Sequence, residues 1–287
     1  MTSDWIAIGV TQALNAATTI STFALIALGL AIIYGMMGII NLAHGEFFML
    51  GAYALWLTME AGGSFWLGLL MAAASLALIG GILERAILRL LRDRFLDTIL
   101  ATWGISMFLR EGVRGVFGND TKTMVSPLPA SIHAGSVVYP VYYFFVIAVS
   151  LALVGGTLLF FRYTVTGIKA RAVLQSHDAA AVLGINTRRM NTMSFALGAA
   201  LAGVAGAVMS PLIGIYPSMG LGFVVQSFMA VILGGLGGLG GVLAGSTVIG
   251  GLQSMLTFFI EPVAGITLTL ALVIVILCFR PKGLFQW

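Results

Sequence analysis

Long apolar runs recur along the whole chain, at about residues 20–37, 43–59, 64–83, 97–117, 138–161, 190–212, 223–240, 242–260 and 263–279. Roughly 20 apolar residues of helix cross a bilayer. Inside lipid, only helices and closed barrels satisfy every backbone N–H and C=O. Runs of this length restrict the chain to an all-α, polytopic transmembrane helix bundle. Charged residues supply only 8% of the 287, where a soluble domain has about 25%. That shortage excludes a soluble enzyme, a nucleic-acid-binding protein and a disordered chain. The expectation is about nine spans (8–10) in a single domain over 1–287. The range arises because residues 5–19 either lie at the interface or add a crossing.

Basic residues gather between particular runs. Arg85, Arg89, Arg92 and Arg94 fill one linker, Arg162, Lys169, Arg171, Arg188 and Arg189 another, and Arg280 and Lys282 the tail. By the positive-inside rule these regions are cytoplasmic. Segment 110–137, with its turn residues Gly118-Asn119-Asp120, and the turns at 60–64 and 213–222 then lie outside. Counting crossings places the N-terminus outside and the C-terminus inside. The net charge of +4 thus reports topology and not a nucleic-acid groove. One cysteine, Cys278, cannot form an internal disulfide, and with three scattered His it builds no Cys/His metal site. The first 20 residues lack the Lys or Arg of a signal-peptide n-region.

Two regions interrupt the uniform apolar pattern. Tyr34-Gly-Met-Met-Gly-Ile-Ile-Asn-Leu-Ala-His-Gly-Glu46 puts Asn41, His44 and Glu46 in apolar surroundings, where a charge costs several kcal/mol unless it meets a cavity, a partner or a helix end. Gly234-Gly-Leu-Gly-Gly-Leu-Gly-Gly241 has six glycines in eight positions, each costing a helix about 1 kcal/mol relative to Ala. Both are expected to be Gly-broken, discontinuous helices, with Gly35 and Gly38 permitting the first break and Gly237 and Gly238 the second. Their corresponding places near the two ends suit a transporter's internal repeat. Gly198, Ala202 and Gly206, spaced by four, and Gly241 and Gly245 form small-residue faces. Those faces serve packing within the bundle or contact with a second transmembrane subunit.

Residues 167–189 are too polar to span. Ile168, Ala172, Ala179, Val182 and Leu183 follow a helical period, with Lys169, Arg171, Ser176 and Asp178 off that stripe. Gly184 is a C-terminal stop, and Asn186 or Thr187 caps the next helix. One or two short amphipathic helices are expected on the cytoplasmic surface. They act either as a connector on the headgroups or as a helix that seats in a partner's groove.

Asp178-Ala-Ala-Ala-Val-Leu-Gly184-Ile-Asn186 resembles the acidic-Ala-Ala-x-x-x-Gly coupling loop of ABC-importer permeases. The Tyr34–Glu46 motif resembles the signature of the branched-chain amino acid permease family (its H-type subunit). Leu233–Gly241 and Arg280-Pro-Lys-Gly-Leu-Phe285 are similar to that family's as well. The likeness runs from about residue 20 to the C-terminus. The family includes urea and short-chain amide permeases, and Leu100-Ala-Thr-Trp-Gly104, Gln226-Ser-Phe-Met229 and Glu261-Pro-Val-Ala-Gly265 lean toward the urea branch. The resemblance implies the permease subunit of an ATP-driven importer in a bacterial inner membrane. It would carry branched-chain amino acids or a related small neutral solute delivered by a periplasmic binding protein. Its implied partners are a second, related permease (as a hetero- or homodimer) and two cytoplasmic ATPase subunits. The chain has no Gly-x-x-x-x-Gly-Lys-[Ser/Thr] loop, so it is expected to bind no cofactor, ATP being used by the partner. The coupling loop is expected at about 163–189, with Arg171, Asp178, Ala179 and Ala180 at the docking contact and Gly184 giving the sharp exit.

Several polar residues carry more than one reading. His44 and Glu46 compensate a helix terminus, line the translocation path, or relay protons. Asn41 caps the break or touches solute. Thr102 and Ser106 back-bond to their own helix or face the path, as do Gln226 and Ser227. Arg110, Glu111 and Arg114 either snorkel to headgroups or meet the binding protein. A membrane enzyme is disfavoured: His44-Gly45-Glu46 lacks the His-Glu-x-x-His spacing, and Ser246 has no recognisable His partner. A secondary transporter or channel is the alternative, distinguished by its lack of need for a docking helix.

Overall fold

Helices form where the apolar runs lie. A computed structural model describes residues 2–91, 94–134, 137–235, 239–281 and 283–284. In chain order, α1 is Thr2–Met37, α2 His44–Glu60 and α3 Phe65–Leu83. A π turn at Glu84–Leu88 carries α3 into the short α4, Arg89–Leu91. Helix α5 is Phe95–Phe117, followed by the antiparallel strands β1 (Ser131–Ala134) and β2 (Val137–Pro140), in register Ile132 to Tyr139. Then come α6 (Val141–Tyr163), the short α7 (Val165–Gln175) and α8 (His177–Val182), and α9 (Thr187–Ile213). The last three are α10 (Met219–Gly234), α11 (Leu239–Phe259) and α12 (Pro262–Phe279). The chain is an all-α polytopic membrane protein with one small hairpin.

Six helical segments among the described residues are long and apolar enough to cross a membrane: Ala7–Met37, Phe65–Leu91, Val141–Tyr163, Thr187–Ile213, Gly240–Phe259 and Pro262–Phe279. Three further helices occupy predicted runs without meeting that measure. Helix α2 has 17 residues and α10 has 16, while α5 carries Asp97, Arg110, Glu111 and Arg114. The expected start at residue 20 is corrected, because α1 continues back to Thr2. Its polar first half is held by side-chain bonds. Thr11 and Thr18 donate to the carbonyls of Ala7 and Leu14, Gln12 to Ser254, and Tyr139 Oη to Asn15.

Helix α9 lies at the centre, against α1, α2 and α3, and α1 also meets α6, α10 and α11. Close approach depends on glycine. A Cβ at Gly198 would lie 2.6 Å from the Gly29 carbonyl oxygen, and one at Gly206 would collide with the Phe48 carbonyl. The small-residue face Gly198, Ala202 and Gly206 therefore packs inside the bundle. Gly241 and Gly245 likewise abut Gly234 and Ala230.

The described basic residues of 85–94 and 162–189, with Arg280, collect at one end, and Arg110, Arg114 and Lys122 lie away from it. At the basic end Thr192 of α9 bonds Glu84, and Arg171 bonds the Arg162 carbonyl oxygen at 3.4 Å. The C-terminal segment closes on α10 at the same end, Leu284 N donating to Leu233 O at 2.7 Å. The hairpin and the reciprocal backbone bonds between Lys122 and Ile215 occupy the opposite end.

Candidate functional site at the first helix break

Helix α1 stops at Met37, and the chain turns through Gly38 at φ +66° before α2 starts at His44. That left-handed backbone is open to glycine and strained for most residues. The Asn41 side chain organises the entry into α2: its Oδ1 accepts from Ala43 N at 3.1 Å, and its carbonyl accepts from His44 N at 3.3 Å. Asn41 thus braces the turn into α2, while its Nδ2 is buried with no partner among the described residues.

Glu46 falls in the first turn of α2, where a helix N-terminus favours negative charge. It is 1% exposed. Ser106 Oγ donates to Glu46 Oε1 at 2.8 Å, and Arg110 Nη1 lies 3.6 Å from the same oxygen. Glu46 Oε2 is buried without a partner among the described residues. His44, fully buried, donates from Nε2 to the Ile26 carbonyl at 3.2 Å, and its Nδ1 has no such partner.

Opposite the break stands α5, whose buried residues are Thr98, Thr102, Ser106 and Val113. Its polar positions repeat every four residues, Thr98, Thr102, Ser106 and Arg110, and so line one face. Thr102 back-bonds to its own helix and also reaches the turn between α1 and α2. Its hydroxyl donates to Ile99 O at 3.0 Å and accepts from Leu42 N at 3.3 Å, tying α5 to the break. Arg110 is the residue that sequence reasoning misplaced. Its side chain is 16% exposed and turns inward to Glu46, not out to headgroups. The four-residue polar stripe was the available signal. Together, Asn41, Glu46, Thr102, Ser106 and Arg110 form a polar seam between the break and α5.

The remaining candidates lie elsewhere. Gln226 and Ser227 are buried within α10, and Ser227 Oγ has no partner among the described residues. Gly235, φ +97°, follows α10, and Gly237 and Gly238 lie outside the described residues. Gly35 borders a cleft of about 680 Å³ at the basic end, with Arg162, Arg171 and Leu174 among its walls. A Cβ at Gly35 would lie 2.8 Å from Leu174 Cδ2, so α7 leans directly on the end of α1. Among the described residues no group of three or more His, Cys, Asp or Glu could hold a metal ion.

The expected pair of short helices is present as α7 and α8. Thr164 caps α7 through Gly167 N, and Ser176 caps α8 through Ala179 N. Gly184, at φ +78°, ends α8, and Ile185 N returns to Ala180 O at 3.0 Å. Gly167, Ala170, Val173 and Ala180 face the bundle. The outer surface shows Ile168, Asp178 and Ala179, with Val182 88% and Leu183 77% exposed. An apolar tip thus projects from the basic end.

A family model described as branched-chain amino acid transport system, permease component, matches residues 12–278. The high-affinity branched-chain amino acid transport system permease protein LivH of Salmonella typhimurium is 29% identical, covering 95% of this chain and 94% of its own length. BraD of Pseudomonas aeruginosa, a permease protein of the same description, is 31% identical with the same coverage. The probable branched-chain amino acid transport permease protein LivH of Methanocaldococcus jannaschii is 30% identical over 91% of this chain and 87% of its own. No solved structure matches the chain.

Proposed function

The chain belongs to the family of branched-chain amino acid transport permease components, and from that premise we propose a membrane gate worked by a separate ATPase through α7 and α8. It is a transport subunit and not an enzyme. The solute in this reading is a branched-chain amino acid or a related small neutral molecule, handed over by an external binding protein. The assembly pairs this permease with a second, related one and two cytoplasmic ATPase subunits. The chain itself binds no nucleotide. Nine spans result from adding α2, α5 and α10 to the six long apolar helices, and residues 1–287 then form one permease domain. The basic end faces the cytoplasm of the inner membrane, with the N-terminus outside and the C-terminus inside.

One observation carries this reading: the short-helix unit is two-sided. Leu174 bears on Gly35 beside the break, while Val182 and Leu183 stand exposed at the basic end. An exposed apolar tip on a short helix suits a partner's groove, and the Leu174 contact passes its movement to α1. Asp178 supplies a polar contact at the docked face, while Arg171, expected there as well, lines the cleft beside Gly35. In the bundle, the seam from Asn41 to Arg110 acts as the gate, His44 orients α2 against α1, and Gln226 and Ser227 offer passing polar contacts. The two Gly-broken helices give the gate its freedom.

The test is reconstitution of the full complex with labelled leucine, urea and short-chain amides. Gly184→Ala forces alanine into left-handed backbone, at about 1–2 kcal/mol, and Asp178→Asn removes only a charge. Both variants should keep hydrolysing ATP while uptake falls severalfold. Normal coupling in both would remove the docking assignment. The isolated subunit carrying solute uphill on an ion gradient would overturn the ATP-driven reading altogether.

A further inference from the structure

We propose that the cleft between α1, α6, α7, α10 and α11 binds one anionic phospholipid, whose phosphate is held by Arg162 and Arg171. The cleft measures about 680 Å³, within the roughly 300–1,000 Å³ of ligand sites. Its lining is divided. Tyr34, Arg162, Arg171 and Gln175 bring hydrogen-bond donors, while Ile32 and Val231 represent an otherwise apolar wall. Among the described residues, two arginines line it and no Asp or Glu does.

That charge pattern selects the occupant. A zwitterionic amino acid needs a carboxylate or carbonyl cluster for its ammonium, and urea carries no charge to match two arginines. A net anion with an apolar portion satisfies both halves. Guanidiniums bind phosphate oxygens in bidentate fashion, and basic pockets between transmembrane helices on the cytoplasmic side bind lipid headgroups. The geometry also admits a lipid from the side. Helix α6 turns Leu151 and Leu159 outward, so the edge of the cleft adjoins acyl chains. Arg162 and Arg171 are exposed and lie beside each other, Arg171 Nη2 reaching the Arg162 carbonyl oxygen at 3.4 Å. A bound lipid would sit against Leu174 and Gly35, where α7 bears on α1. Anionic lipid content would then set how firmly the two move together. This site is independent of what the permease carries.

The experiment is native mass spectrometry of the full-chain complex, taken from nanodiscs of phosphatidylcholine containing graded phosphatidylglycerol. The wild type should retain one phosphatidylglycerol per copy of this chain through delipidation, and no phosphatidylcholine. Arg162→Gln/Arg171→Gln should lower retention about twenty-five-fold, the product of roughly five-fold for each basic group at a membrane surface. Arg162→Lys/Arg171→Lys should keep most of it, separating loss of charge from loss of fold. Equal retention by the Gln pair, or retention of phosphatidylcholine by the wild type, overturns the assignment. Displacement by glycerol phosphate or inorganic phosphate would make it a site for soluble anions, and displacement by leucine or urea would make it the solute's exit. Either result ends the lipid proposal, whereas loss of uptake alone bears only on the transport reading.

Discussion

Two glutamates in this bundle are each 1% exposed, and each has a guanidinium and a hydroxyl beside it. Glu84, in the π turn after α3, accepts from Thr192 at 2.5 Å and from Arg89 at 3.3 Å, both on Oε2. Arg89 is five residues along the same helical segment and is 36% exposed, so the pair reaches the surface at the basic end. Glu46 has its partners 60 and 64 residues away on α5, Ser106 at 2.8 Å and Arg110 at 3.6 Å, with Arg110 only 16% exposed. One glutamate fastens α3 to α9 within well-packed helices. The other stitches the start of α2, after the turn at Gly38, to a helix that buries little besides its polar stripe. The same chemistry thus braces packed helices in one place and, in the proposed reading, the gate in the other.

The largest test of that contrast is Arg110→Leu. Breaking a buried ion pair by removing one partner costs about 3–5 kcal/mol, because the other charge is left uncompensated. The loss should appear as an early unfolding midpoint when SDS is titrated into mixed micelles. Glu46→Gln combined with Arg110→Leu should recover most of the stability. Uptake should stay low in the double variant if the seam is the gate. Recovery of uptake together with stability would make Glu46–Arg110 a second brace, and the contrast with Glu84 would vanish.

The sequence made the bundle legible because hydrocarbon imposes one rule on every span, and the apolar runs obey it. It misled at residues 2–19, where Gln12 and Asn15 dilute hydropathy. Their hydrogen-bond partners, Ser254 and Tyr139, come from distant helices. The hairpin at 131–140 went unread, although Ile132 and the Val137-Val138-Tyr139 run flank a Gly-Ser pair that reads as a hairpin turn. The break at Asn41 was readable from local glycines and one polar residue. The partner of Glu46 was not, since a pairing across 64 residues leaves only a four-residue polar rhythm on α5. The short-helix segment was readable because its helical stripe and the stop at Gly184 are local devices, although the caps at Thr164 and Ser176, equally local, went unread. Which of its faces meets the bundle depended on Ala180 and Leu174, residues that any periodicity would place on either side.

Glu84→Gln is the next test in size. It replaces two hydrogen bonds made by a charged acceptor with weaker ones, for about 2–3 kcal/mol, and Arg89 relieves part of the strain by turning to solvent. The SDS midpoint should fall, while uptake per folded molecule and its ratio to ATP hydrolysis stay at wild-type values. A change in that ratio would show the basic-end brace moving during transport, and the two glutamates would then belong to one mechanism.

The smallest effects come from a matched pair of hydroxyl deletions. Ser106→Ala removes the donor to Glu46, and Thr192→Val removes the donor to Glu84. Each leaves its carboxylate with a guanidinium, so each should cost about 1.5 kcal/mol at the carboxylate, the low end for a hydrogen bond to a charged group, and Thr192→Val somewhat more because its hydroxyl also accepts from Arg89 at 3.0 Å. Fold damage is then no smaller in Thr192→Val, so a leak confined to Ser106→Ala cannot be put down to it. Without the Ser106 hydroxyl, Glu46 is held to α5 by Arg110 alone, and the seam should open more readily. Basal ATP hydrolysis should rise and solute should leak passively from loaded vesicles. Thr192→Val, with Arg89 still on Glu84, should show neither change. If both variants leak alike, or neither does, the position of a buried carboxylate beside a helix break confers nothing that the same group in an unbroken segment lacks.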